Sequence, residues 1–243
     1  MSGQISGRQA RRLKTMVAVL GTSLVLALGA SGTAHAEPDT LTYIHAGKLL
    51  AVPGEGYLDA QTIIIDGERI SAIEPGYLAA PDGARTVDLK ARYVLPGLID
   101  AHVHITNERG PDSQIKPLYD SQVDTAFDGA LFARRTLLAG FTTVQDVGGT
   151  NMAIFGLRDA ISSGKVAGPR IRATGRAITA SGGHGDANGF APHITQLFVG
   201  PNACNGADDC RRAVRETIRD GADLIKITAT GGVLSNTAAG LGQ

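Results

Sequence analysis

The segment VLPGLIDAHVHI, residues 94 to 105, constrains this chain more than any other, because an apolar run closes on two histidines one residue apart. Side chains two positions apart on a strand share a face, so His102 and His104 project together from the end of a strand over Leu98 to His104. Two imidazoles on one side make half a metal site, and a strand would hold them rigidly where a small molecule can reach. Asp100 shares that face and is placed to orient an imidazole from behind. Taken by itself, the pair reads equally well as two hydrogen-bonded core histidines. Pro96-Gly97 breaks the chain just ahead of the strand, and what precedes it has the character of small β-structure.

Residues 41 to 95 alternate short β-branched runs with turn signals. Thr62 to Ile65 and Arg69 to Ile73 flank Asp66-Gly67, a dipeptide favoured in two-residue hairpin turns. Thr86 to Leu89 and Tyr93 to Leu95 add further strand candidates. After His104 the period lengthens: Val123, Phe127, Leu131 and Leu138 recur at near-helical spacing over residues 121 to 139, and Gly140 supplies a stop. A strand is predicted over Phe141 to Val147, a helix over Met152 to Ser163 and a third strand over Arg170 to Thr174. A helix over Asp208 to Asp220 and a fourth strand over Ala222 to Thr230 follow. Strand and helix in alternation predict an α/β fold built of parallel βα units.

Between the third strand and that last helix lies a long connection, about Thr179 to Gly206. Long structureless connections are uncommon in compact α/β domains unless they serve function, so this one reads as a lid or substrate loop. It carries Ser181-Gly182-Gly183-His184-Gly185-Asp186, where glycines leave the backbone around His184 free to approach a ligand. A loop histidine by itself is more often a solvated surface group. His45 and His193 lack comparable context and read as structural or surface residues. Lys226 lies inside the apolar run of the fourth strand. Burial would drive it toward the neutral amine, which can react with carbon dioxide to give an anionic carbamate, whereas a strand-end lysine would snorkel to water.

PGLIDAHVH resembles the first barrel strand of the amidohydrolase superfamily, whose members carry PG(L/F)IDxHxH there. DLIKI with Thr230-Gly231-Gly232-Val233 is similar to its fourth. The resemblance runs from about residue 41 to the last and is greatest toward the branch of Xaa-Pro dipeptidases and imidazolonepropionase-like hydrolases. It implies a metal-dependent hydrolase with a (β/α)8 TIM barrel, residues 97 to 243, beside a small N-terminal β-domain, residues 37 to 96. A closed barrel typically takes about 250 residues, so this one is expected to stop after about four βα units. The resemblance further implies two divalent metal ions, zinc by expectation, held by His102, His104 and a carboxylated Lys226. His184 then lies near the substrate carbonyl of a small molecule or dipeptide. Two more histidine ligands, and an aspartate serving as ligand and general acid/base, are expected beyond Gln243. The 243-residue chain alone is accordingly expected to be inactive and poorly folded, and a non-catalytic product that binds metal or a partner stays open.

Arg8, Arg11, Arg12 and Lys14 precede an apolar run over Met16 to Ala30, and no acidic residue comes before Glu37. That order reads as an export signal, residues 1 to 36, ending at Ala34-His35-Ala36. The run is shorter than the about 20 apolar residues of a membrane span, so no stable membrane anchor is expected after cleavage. In an exported, periplasmic or secreted protein, Cys204 and Cys210 are expected to form a disulfide. Twenty-three basic and 23 acidic residues give no net charge, which offers a nucleic-acid partner no electrostatic support.

Overall fold

The computed structural model describes residues 41–113, 115–232 and 235, so the export signal expected over residues 1 to 36 and Val233 lie outside the described residues. β1 (Thr42–Leu49), β2 (Leu58–Asp66), β3 (Arg69–Pro75) and β4 (Arg85–Val94) form a mixed sheet in the order β3-β2-β1-β4. β2 runs antiparallel to both β1 and β3, while β4 lies parallel to β1. Asp66 pairs with Arg69, so the hairpin loop is Gly67-Glu68. Gly67 takes a φ of 57° at the first central position, the arrangement of a type II′ turn. Ala46, Leu49 and Ile63 form the buried centre of this sheet. His45 is buried with its Nε2 donating to the Leu78 carbonyl at 2.8 Å, which makes it a structural histidine.

β5 (Leu98–Val103), α1 (Gln122–Leu138), β6 (Phe141–Asp146), α2 (Asn151–Ser162) and β7 (Arg170–Ala173) form two βαβ units around a parallel sheet ordered β5-β6-β7. At Gly97 the backbone lies hard against its neighbour: a Cβ there would fall 2.1 Å from the Thr142 hydroxyl on β6. Ser121 caps α1 reciprocally with Asp124, and Gly140 ends it with a φ of 98°. The core gathers Val144, Ile154, Leu157, Ile171 and Ala173. α1 lies where the periodicity predicts but buries a different face. Phe127 is 73% exposed and Val123, Leu131 and Leu138 are exposed with it, while Gly129 and Ala133 are buried. Small residues win because a side chain at Gly129 would press on Thr106 and Leu157.

β8 (Ile178–Ala180), α3 (Pro192–Phe198), β9 (Ala203–Cys204), α4 (Gly206–Arg219) and β10 (Ile227–Thr228) complete the described fold as a parallel sheet ordered β10-β8-β9. Two expectations are corrected. The predicted structureless connection over Thr179 to Gly206 contains α3 and β9, fastened because Asn202 donates to Ala177 and accepts through its carbonyl from Thr179. The fourth strand pairs only over Ile227–Thr228, because Asp223 takes the Ala173 N–H with its carboxylate at 2.9 Å and ties it to Arg158. The third strand is found as β7, and past Gly175, with a φ of 65°, the chain turns from β6 toward β10. Cys204 and Cys210 are joined in a disulfide that fixes β9 to α4. Among the described residues no helix is long and apolar enough to cross a membrane.

Asp223 gives this corner a pH signature. Burial raises its carboxyl, but the Ala173 N–H and the Arg158 guanidinium outweigh that and hold it below the usual carboxylate range. A depressed folded-state pKa contributes stability above the unfolded value, about 4, that is lost as pH falls through the folded one. Asp223→Asn is therefore expected to cost about 1–3 kcal/mol at pH 7, as loss of hydrogen bonds to a charged group does. Denaturant unfolding should show the gap between wild type and variant narrowing at pH 3. An equal gap at both pH values would contradict this assignment.

Candidate metal centre

β5 places its two histidines side by side. The His102 and His104 ring centroids are 5.6 Å apart, with the planes inclined at 72°. Both rings are exposed where the sheet opens. His104 Nδ1 lies 3.2 Å from the Gly148 carbonyl oxygen. A carbonyl can only accept, so Nδ1 carries the ring proton and the Nε2 lone pair is free for an electrophile or metal. The same ring rests on the Gly148 backbone, where a Cβ would come 2.8 Å from Cε1. Asp100 does not orient an imidazole: its Oδ1 accepts the His102 backbone N–H at 3.0 Å. Its short side chain reaches the N–H two residues on, as aspartate does in local turns, and so comes back to its own strand.

The group that supports His104 is Asp146, at the end of β6, which the sequence reading passed over. It is fully buried; Oδ2 accepts the Ile105 N–H at 2.7 Å and Oδ1 the Gly148 N–H at 3.1 Å. Burial pushes its carboxyl above the usual range, against the N–H groups of Gly148 and Ile105 and the nearby His104, which pull it down. The signal in the sequence is an acid at the end of a predicted strand that is followed by Val147-Gly148-Gly149, a turn too small to shield a carboxylate unless the backbone itself does so. A cavity of about 290 Å³ opens beside His104, walled by Phe132, Asn107, Glu108 and Arg135.

His184 and Lys226 both lie by the ends of β10, Lys226 just before it and His184 bonded to Thr230 beyond it. The His184 N–H donates to the Thr230 carbonyl at 3.0 Å, and its exposed ring lies on Gly232, where a Cβ would come 2.3 Å from Nδ1. Asp186 closes the loop by accepting the Gly182 N–H at 2.8 Å. Lys226 is half-buried immediately before β10, and its carbonyl accepts the Ile178 N–H at 2.8 Å. The histidine loop is thus fastened to the tail of the strand that carries Lys226. His193 is exposed on α3. Among the described residues no hydrogen bond or ion pair links Lys226 Nζ or the His184 ring to the His102–His104 pair. Nor do three or more His, Cys, Asp or Glu residues form a group able to hold a metal ion. What fits a divalent ion is the donor chemistry: two adjacent imidazoles, one with its metal-binding nitrogen already freed.

The chain is similar to several known proteins. The chain is 31% identical over 220 residues to the ochratoxinase of Aspergillus niger, covering 80% of this chain and 43% of that enzyme. It superposes on the crystal structure of an Xaa-Pro dipeptidase with bound methionine in the active site at a TM-score of 0.74 and 40% identity, covering 83% of this chain and 50% of that one. A prolidase solved with N-methylphosphonate-L-proline gives a TM-score of 0.68 and 33% identity over 82% of this chain and 48% of its own. The chain spans about half the length of these relatives. The model of the amidohydrolase family matches residues 93–240, from the end of β4 through His102, His104 and His184, and the chain belongs to that family.

Proposed function

We propose that this chain is part of an exported, divalent-metal-dependent hydrolase of C–N amide or peptide bonds, with Xaa-Pro dipeptides as the substrate class. The observation that carries the reading is the His102–His104 pair at the mouth of β5, its rings 5.6 Å apart. In this reading His102, His104 and a carboxylated Lys226 hold the metal, two ions with zinc as the first candidate. A bound divalent ion would lower the pKa of a coordinated water and polarise the scissile carbonyl. His104 supplies an Nε2 lone pair because the Gly148 carbonyl holds the ring proton at Nδ1. His184, presented on a glycine-flanked loop bound to Thr230, donates to the substrate carbonyl oxygen. The likeness to a dipeptidase and to a prolidase with a proline-containing ligand supports the dipeptide class. Export, with the mature chain beginning near Glu37, is supported by the apolar run after Arg12 and by the Cys204–Cys210 disulfide.

A panel of dipeptides assayed on the full-length reading frame with zinc, manganese or no added metal tests this function. Metal-dependent release of proline from Xaa-Pro substrates, greater than release from non-prolyl dipeptides, is the expected result. Hydrolysis indifferent to both metal and the prolyl residue would remove the proposal.

A further inference from the structure

Resting on the metal-site reading, we infer that Asp146 is a positioning residue for His104: a buried carboxylate that fixes both backbone segments on which the imidazole depends. Its two oxygens are divided between them. Oδ2 takes the N–H of Ile105, the residue that follows His104 in the chain, at 2.7 Å. Oδ1 takes the N–H of Gly148, whose carbonyl receives the His104 ring proton and whose Cα carries the ring, at 3.1 Å. The Val147 N–H meets the Val103 carbonyl at 3.0 Å, so the backbone on either side of the histidine is bound to the turn after β6. Moving either segment alone would separate Nδ1 from its acceptor. One side chain with no solvent exposure prevents this from both ends at once.

An ordinary buried carboxylate that merely stabilises the fold would have the same hydrogen bonds but no effect on a histidine's nitrogen chemistry. Asp146→Asn separates the two roles. The amide keeps the shape but has one acceptor oxygen and a donor NH2, so one of the two N–H groups faces a donor. Supporting groups of this kind alter metal affinity by about 10- to 100-fold when replaced. In metal-free purified protein, nitrogen NMR should show His104 protonated at Nδ1 in wild type and distributed between both nitrogens in Asp146→Asn. Zinc affinity, measured by competition with a chromophoric chelator, should fall by about tenfold or more. Ile63→Ala, a core substitution in the separate β1–β4 sheet, should lose stability while keeping the wild-type proton position and zinc affinity. If Asp146→Asn does not fold, Asp146→Glu keeps two acceptor oxygens but displaces both by one methylene, and the same two changes are expected. The inference is overturned if a folded Asp146→Asn, or Asp146→Glu in its stead, retains both the Nδ1 proton and wild-type zinc affinity. Absence of zinc binding in wild type would instead reject the metal-site reading, and the proton position would still decide the role of Asp146.

Discussion

Replacing both histidines, His102→Ala/His104→Ala, is expected to abolish zinc-dependent stabilisation of the fold. A ligand that binds only the folded state adds stability as its concentration exceeds Kd, about 2.7 kcal/mol at a hundredfold excess. For a domain of this size about 1 kcal/mol moves Tm by roughly 2–4 °C, so wild type should gain several degrees with zinc and the double variant none. Removing the two side chains should itself cost little, since both rings are exposed. Among the described residues neither ring belongs to a buried apolar cluster; His104 gives up one bond to Gly148. Thermal scans of both proteins with chelator and with zinc separate the two effects. An equal zinc response in the double variant would place the metal elsewhere.

In the full-length protein, Gly232→Ala is expected to remove most activity while leaving metal affinity intact. A methyl at Gly232 would lie 2.3 Å from His184 Nδ1, so the ring must swing away from its place above the Thr230–Gly232 segment. The glycine has ordinary backbone angles, so the cost falls on the histidine and not on the main chain. Loss of one oriented donor to a developing oxyanion typically lowers kcat by about 10²–10³. The fall should appear in kcat more than in KM and should match that of His184→Ala. Full turnover in Gly232→Ala would exclude His184 from the carbonyl-polarising role.

The parts of this fold that could be read in the sequence are those where the chain talks to itself locally. The β-branched runs around Gly67 become the β2–β3 hairpin, and the Ser121 cap and Gly140 stop bound α1 to within a residue. Two cysteines at short spacing form the disulfide. Spacing could not say which face of α1 meets the sheet. That depends on Gly129 fitting against Thr106 and Leu157, which lie at the end of another strand and on another helix. The fourth strand was overread for a similar reason: Ala222 to Thr230 has strand composition, but the Asp223 side chain captures a ladder donor from Ala173. At the candidate site, periodicity is enough to put His102 and His104 on one face of β5. It is silent on Asp146, whose partner Ile105 lies 41 residues away, and on the glycine seats beneath His104 and His184. Those are relations between segments that only folding brings together.

The most direct test of the central claim is to count divalent metal per chain by elemental analysis of purified wild type and His102→Ala/His104→Ala. Wild type is predicted to retain zinc or another divalent metal through desalting, and the double variant to lose it. Wild-type stoichiometry in a folded double variant would contradict the assignment of this pair as metal ligands.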